Sequence, residues 1–509
     1  MAPAVTDART LTGLLRALIG VTDRGLHVAA AGDDTDRDDA DWFISWHDHL
    51  AASAQRATAL RRLLDPSRPP HVGVLLPNVP EFSFLFGAAA MGGGVLVGLN
   101  PTRRGAALAA DVARADCQLV LTDAGGAALL PDSVRTIDVD GPQWRELLDA
   151  VGPVPPEFGE ANPDDLVMLI YTSGTTGDPK AVRCSQRKFA AAAAMLADRF
   201  GLSDDDAVYL AMPMFHSNAL IAGWSVAAAS SASLVLRERF SATGFCDDLR
   251  RYRITYANYV GKPLHYILAT PERADDAQTA LRIMYGNEAS AADRAEFARR
   301  FGTRVIDGFG STEGGVSITR TPETPDDALG PLRPPVAVVD PDTLAPVAPG
   351  ETGEIVNTAG PGLFDGYYND PAATAERLRG GVYRTGDLGW VDTAGFIHFA
   401  GRFGDWLRVD GENLGTRPIE QILLRHPGID EAIVFGVPTE IGDEVGAALV
   451  APTLTRDQFA EFVARQRDLG PKQHPTKIWL VDSLRQTATF KTVRAAVGTE
   501  LGTPDWLLP

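Results

Sequence analysis

Leu166-Val-Met-Leu-Ile-Tyr-Thr-Ser-Gly-Thr-Thr-Gly-Asp-Pro-Lys180 joins two unlike pieces of chain. Leu166 to Ile170 is a short uncharged apolar run, the pattern of a buried strand. From Tyr171 the composition turns to hydroxyls, glycines and one lysine. Glycine has no Cβ, so backbone N–H groups can approach a phosphate closely, and the hydroxyls and Lys180 add further donors. A strand feeding such a loop suits the polyphosphate end of a nucleotide. The plain alternative is a solvated Ser/Thr/Gly turn. The loop is not a Walker A motif, which has four residues between its first Gly and Gly-Lys-Ser/Thr. Here Gly174 and Gly177 stand closer together and Lys180 lies further on.

On the N-terminal side, His71-Val-Gly-Val-Leu-Leu-Pro77 predicts a buried strand and Glu81 to Met91 a helix. Gly94 to Gly98 and Gln118 to Thr122 predict further strands. Strands spaced by helices form a parallel or mixed sheet covered on both faces. The alternation returns from Leu166 to Leu236 and from Tyr256 to Phe309, so two sheet-helix lobes are expected. Thr321 to Gly366 is rich in Pro and Gly, with β-like runs at Val336–Val339 and Gly353–Val356, and predicts a small β unit. Gly401-Arg-Phe-Gly404 then punctuates the chain. The remainder has its own apolar runs at Ile433–Val437, Val445–Val450 and Ile478–Val481. The expectation is an α/β protein with a large N-terminal domain over 1–401 and a small α+β domain over 402–509.

Composition narrows the function classes. The 509 residues are 45% hydrophobic and 22% charged, an ordinary globular balance. Lys plus Arg is 47 and Asp plus Glu is 66, a net charge of −19. That excludes a protein that binds nucleic acid through a broad basic surface. Three separated cysteines, Cys117, Cys184 and Cys246, form no disulfide framework or metal-ligand spacing and fit a reducing cytoplasm. No signal-peptide h-region opens the chain. Ser217 to Leu236 is uncharged and long enough to span a bilayer. Its polar Ser217, Asn218, Ser225, Ser230, Ser231 and Ser233 point instead to a buried Ala-rich helix running into a strand at Ser233–Leu236.

Further segments follow the phosphate loop: Met212-Pro-Met-Phe-His216, Tyr285-Gly-Asn-Glu-Ala289, Gly308-Phe-Gly-Ser-Thr-Glu313, Tyr383-Arg-Thr-Gly-Asp387, Gly401-Arg402 and a late Lys491. Together, and in this order, they resemble the adenylate-forming superfamily of acyl-CoA synthetases, peptide-synthetase adenylation domains and beetle luciferases. The resemblance covers roughly His71 to Arg494 and implies a two-step reaction. A substrate carboxylate first attacks the α-phosphate of ATP and expels pyrophosphate. A thiolate then attacks the acyl-adenylate and expels AMP.

The resemblance also assigns roles. Thr172, Ser173, Gly174, Thr175, Thr176, Gly177 and Lys180 would cradle the phosphates. Glu313, the only carboxylate in Gly308 to Gly314, would hold Mg²⁺ with Thr175 nearby, a hard cation met by oxygen ligands. Thr312 would donate to the α-phosphate. Gly286, Asn287 and Glu288 would line the nucleotide, Phe309 and Gly308 would lie against adenine, and Asp307 would accept from its amino group. Asp387 would accept from both ribose hydroxyls, with Arg402 reinforcing it. Lys491 would bridge the attacking carboxylate and the α-phosphate, although Phe490 stands where the family usually has Gly. His216 would line the carboxylate pocket; the other reading is a structural histidine among apolar neighbours. It is not assigned base catalysis, because a carboxylate nucleophile needs no deprotonation at neutral pH.

In the family the small domain turns between the two half-reactions, which makes Gly404 the expected hinge and Gly411 a close-approach residue. Gly401-Arg-Phe-Gly-Asp-Trp-Leu-Arg-Val-Asp-Gly-Glu-Asn413 and Tyr285-Gly-Asn-Glu look like the fatty-acid transport protein and very-long-chain acyl-CoA synthetase branch. Actinobacterial ligases for steroid side-chain acids are similar to it. The implied activity is ligation of a hydrophobic carboxylic acid to coenzyme A with ATP and Mg²⁺. The alternatives are an acyl-AMP ligase loading a carrier protein and a non-catalytic acyl or nucleotide binder. The expected protein is cytoplasmic, without an integral membrane span. Peripheral membrane contact is compatible with it, as is either a monomer or a homodimer.

Overall fold

The computed structural model describes residues 9–29, 42–172, 179–402, 406–409, 412–439, 442–467, 469–484 and 501–508. The chain divides into two compact units, Met1–Ser317 with Pro361–Glu376, and Ile318–Gly360 with Arg377–Pro509.

The strands of the first unit are, in chain order, β1 Gly25–Ala29, β2 Trp42–Ser45, β3 His71–Leu75, β4 Val95–Gly98, β5 Leu119–Thr122, β6 Thr136–Asp138, β7 Leu166–Thr172, β8 Lys180–Ser185, β9 Ala207–Leu210, β10 Ser233–Arg237, β11 Tyr256–Val260, β12 Ile283–Asn287 and β13 Arg304–Gly310. One sheet runs β6-β5-β3-β4-β7-β8. It is parallel except where β8 turns back antiparallel on β7. A second sheet contains the run β13-β12-β11-β9-β10-β1-β2, parallel except at β1–β2. Helices cover both, which is why strands such as β3 are buried along their whole length.

The core follows the apolar runs. Leu75, Val97, Val120 and Leu169 pack together in the first sheet's layer. Tyr209, Val235, Ala257 and Met284 meet Phe245, Phe297 and Phe301 from helices on the second. Each of the Leu, Val, Met and Phe side chains among them, when fully buried, contributes roughly 1.5–3 kcal/mol. Helix boundaries have local causes. Helix Pro80–Ala90 starts with proline in its first turn, where no N–H is missed. Helix Gln186–Phe200 is capped by the Ser185 hydroxyl and ends at Gly201, whose φ of 59° is left-handed.

The uncharged stretch after His216 is helical and buried, then continues as β10, as its serines predicted. Its helix is not regular: a π turn, Leu220–Trp224, separates Ser217–Ala219 from Ser225–Ser230. The Trp224 indole N–H donates to Ser83 Oγ at 2.7 Å. The same hydroxyl lies 2.8 Å from His49 Nε2. No helix among the described residues is long and apolar enough to cross a membrane.

His49 carries a consequence for stability. Burial, with a smaller contribution from the Arg56 charge, pushes its pKa down to about 3. In the unfolded chain it titrates near 6.5. Below that pH the unfolded state binds a proton that the folded state refuses. The stability present above pH 6.5 is therefore lost as pH falls toward 3. By pH 5 the loss is about 2 kcal/mol from this group. Unfolding midpoints measured from pH 5 to 7 should fall with acidity in the wild type and flatten in His49→Gln.

The second unit contains an antiparallel sheet ordered Ala328–Pro331, Phe396–Arg402, Tyr383–Val391, Gly353–Asn357, Val336–Val339. Trp406–Val409 and Glu412–Gly415 pair as a two-stranded ribbon. A mixed sheet of Glu431–Thr439, Gly442–Val450, Lys477–Leu480 and Trp506–Leu507 follows. Its core joins Val434, Ala447 and Ile478 to Ile419 and Leu423 of helix Thr416–Leu423 and Phe459 of helix Arg456–Arg465.

Candidate functional site

Ser173, Gly174, Thr175, Thr176, Gly177, Gly404, Gly411, Phe490 and Lys491 lie outside the described residues. The ends of the phosphate loop lie within them. Thr172 of β7 and Lys180 of β8 are antiparallel partners, so the loop leaves and re-enters the sheet at neighbouring points. Beside β8 runs Gly366–Tyr368. The Arg183 N–H donates to the Gly366 carbonyl at 3.0 Å, and the Tyr368 N–H donates to the Ala181 carbonyl at 2.8 Å. This pairing places the Tyr367 ring 5.4 Å from Lys180 Nζ. The Tyr367 hydroxyl donates to Glu313 Oε1 at 2.9 Å. One tyrosine thus connects the loop lysine with the carboxylate expected to hold Mg²⁺.

Thr312 and Glu313 are clamped from three sides. Ser217 Oγ lies 2.8 Å from Thr312 Oγ1. Tyr367 holds the Glu313 carboxylate, and Lys188 Nζ donates to the Glu313 carbonyl at 2.9 Å. Glu313 is 7% exposed, and among the described residues no cation stands within ion-pair distance of its carboxylate. A buried anion without a counter-charge is costly, and a hard divalent cation would supply one. Among the described residues no group of three or more His, Cys, Asp or Glu could hold a metal. One carboxylate completed by substrate phosphates is the usual arrangement for Mg²⁺, so these residues fit that ion. His216 immediately precedes Ser217, its ring 4.2 Å from that of Phe215.

The residues expected to face adenine come together where β11, β12 and β13 lie in register. Tyr259 is opposite Gly286, and Gly286 is opposite Asp307. The Asn287 side-chain amide donates to the Gly308 carbonyl at 3.1 Å. Asp307 and Phe309 alternate with Gly308 and so share a face of β13. The Tyr259 hydroxyl donates to Asp307 Oδ1, and Arg294 Nη1 stands 3.3 Å from Oδ2. Burial, and secondly the Asp307 charge, raises the Tyr259 pKa well above its ordinary value, so the phenol keeps its proton for this bond. A carboxylate accepts about four hydrogen bonds, which leaves capacity for a ligand donor. Glu288 follows with φ 67°, a left-handed residue before the Ser290 cap of helix Ala291–Phe301.

Gly286 is required by close approach. A Cβ there would stand 2.3 Å from the Tyr259 carbonyl oxygen and 2.6 Å from its ring. Gly286→Ala is expected to cost about 1–3 kcal/mol by overpacking and to weaken nucleotide binding by spreading β11 from β12. Thermal unfolding and the nucleotide KM check both effects.

In the second unit Asp387 and Arg402 are opposite each other on adjacent strands. Arg402 Nε donates to Asp387 Oδ1 at 2.8 Å. The Asp387 N–H donates to Thr385 Oγ1 at 2.9 Å, and the Gly386 N–H donates to Glu354 Oε1 at 2.9 Å. Glu354 is itself buried against Arg384. This network fixes the direction of the Asp387 side chain.

The sequence reading missed Tyr367, Lys188, Ser217, Tyr259 and Arg294. Only Lys188 left a local signal. It falls in the stripe Lys188, Ala192, Leu196 of a helix whose other members on that stripe are apolar.

Comparisons with known proteins bear out the resemblance. The AMP-binding enzyme family model matches residues 27–368, and the AMP-binding enzyme C-terminal domain model matches 418–491. The chain is 53% identical over 504 residues to a medium/long-chain-fatty-acid–CoA ligase of Mycobacterium tuberculosis, covering 98% of each chain. It is 44% identical over 482 residues to steroid-22-oyl-CoA synthetase of Rhodococcus jostii, covering 89% of this chain and 86% of that one. Its fold is similar to that of ATP-bound MatB from Rhodopseudomonas palustris, with a TM-score of 0.81 at 25% identity over 95% and 97% of the two chains.

Proposed function

The chain belongs to the AMP-binding enzyme family, and from that premise we propose that it is an ATP-dependent acyl-CoA ligase for a hydrophobic carboxylic acid. The observation that carries this reading is end-to-end identity of 53% with a fatty-acid–CoA ligase. That likeness supports a medium- or long-chain fatty acid as the first substrate to test. The steroid-22-oyl-CoA synthetase, at 44%, makes a steroid side-chain acid the second reading.

The residues divide the labour. Thr172 and Lys180 flank the loop that receives the polyphosphate. Thr312, oriented by Ser217, donates to the α-phosphate. Mg²⁺, held by Glu313 and the nucleotide's phosphates, would neutralise charge on the polyphosphate. Asp307 reads the adenine amino group, and Asp387, steadied by Arg402, takes the ribose hydroxyls. Lys491 neutralises the approach of the substrate carboxylate to the α-phosphate. His216 lines the pocket for that carboxylate. The larger share of the rate comes from placing these groups before the reaction starts, since one anion must approach another.

The experiment is pyrophosphate release with Mg-ATP and a panel of acids from acetate through long-chain fatty acids to steroid side-chain acids, with and without CoA. CoA-dependent turnover of one hydrophobic acid supports the reading. Release that CoA does not accelerate would favour carrier loading. No release with any acid would favour a non-catalytic binder.

A further inference from the structure

Lys188 is a buried cation that the roles above leave unused. It lies in the first turn of helix Gln186–Phe200, on the face turned into the protein, and is 1% exposed. Lysine is almost never buried this fully unless paired. Its Nζ donates to two backbone carbonyls, Glu313 O at 2.9 Å and Arg183 O at 3.5 Å. Among the described residues no carboxylate is within ion-pair distance of it. The nearby Asp365 is engaged by Arg187, and the Glu313 carboxylate accepts from Tyr367.

The two carbonyls belong to different parts of the site. Arg183 is on β8, the strand that leaves the phosphate loop. Glu313 follows β13 and the adenine-side residues. Gly314 has φ 72°, and a Cβ there would stand 3.4 Å from Lys188 Cε. The lysine stem therefore fills the space beneath the turn. A neutral donor would satisfy a carbonyl at lower desolvation cost, so the placement of an ammonium here calls for a reason.

We propose that Lys188 is a positioning residue for adenylation. It ties the Glu313 peptide to β8, so that Lys180, at the start of that strand, and the ion-holding carboxylate keep one fixed spacing. The ammonium bonds both carbonyls at once and, as a charged donor, holds them more tightly than an amide would. This inference rests on the reading of Glu313 as the residue that holds Mg²⁺.

The test is Lys188→Met, which keeps the stem and removes the donors. It is assayed separately for pyrophosphate release and for reaction of supplied acyl-AMP with CoA. The expected result is a tenfold to hundredfold fall in kcat for adenylation, on the order of what small misplacements cost. The Mg²⁺ concentration for half-maximal rate should rise, and the acyl-AMP reaction should be unchanged. In a Glu313→Ala background the same substitution should add less than about threefold, because the two act as one unit. Lys188→Gln, which keeps a donor, should recover part of the loss, and it is read in the same assays if the Met variant does not fold. Equal loss in both half-reactions, or full additivity with Glu313→Ala, would overturn the proposal. Impairment by Glu313→Ala with none by Lys188→Met would sink the lysine's role alone. An unimpaired Glu313→Ala would remove both readings.

Discussion

Glu313→Ala is expected to lower Mg-ATP-dependent pyrophosphate release by about a hundredfold or more, the scale of removing one preorganised charge-stabilising group. The structure supplies the reason. The carboxylate is buried, held on one oxygen by the Tyr367 hydroxyl, and without a cation partner among the described residues. A buried anion kept in that state is suited to a cation that arrives with the substrate. Removing it leaves the phosphates to hold Mg²⁺ alone, so added Mg²⁺ should restore only part of the rate. Initial rates over a Mg²⁺ titration check this, and near wild-type rates at ordinary Mg²⁺ would take Glu313 out of the site.

Lys491→Ala is expected to lose adenylation by a similar factor, about a hundredfold, and to keep the reaction of supplied acyl-AMP with CoA. Its assigned task is to offset repulsion between the attacking carboxylate and the α-phosphate, for which a compact ammonium on a long stem is suited. Repulsion of that kind exists only in the first half-reaction. The second begins from an adenylate in which the new bond is already made. A single-turnover assay of each half separates the two, and equal loss in both would refute the role. The comparison also tests Phe490: a bulky residue next to the lysine is compatible with the assignment only if the wild type adenylates at all.

Much of the fold was legible because its segments are strongly patterned. Short apolar runs at His71, Val95, Leu119 and Leu166 became parallel strands, and the Ala-rich run after His216 became buried helix leading into β10. Candidate site residues stood out in the sequence where chemistry restricts residue type, as with the lone carboxylate of Gly308 to Gly314, which is buried beside Tyr367; the Gly- and Thr-rich loop lies outside the described residues. What the sequence reading missed are partners brought together by the fold. Lys188 and Glu313 are 125 positions apart, Ser217 and Thr312 are 95 apart, and Tyr367 and Glu313 are 54 apart. No spacing rule covers such distances. The π turn at Leu220–Trp224, at whose end the Trp224 indole donates to Ser83, was equally hidden, because no residue pattern in the sequence marks it.

The chain's path through the first unit bears on how the protein could be dissected. That unit is discontinuous: it ends at Ser317 and resumes for Pro361–Glu376. The returning segment lies along the outer side of β8 and bonds it through Gly366 and Tyr368. A fragment cut cleanly at Ser317 would bare that margin of the sheet, and a row of unsatisfied N–H and C=O groups invites pairing with other chains. It would also lack Tyr367, and with it the hydroxyl on Glu313. An autonomous first half must therefore be stitched from two stretches of sequence, with the returning segment rejoined by a short linker in place of residues 318–360.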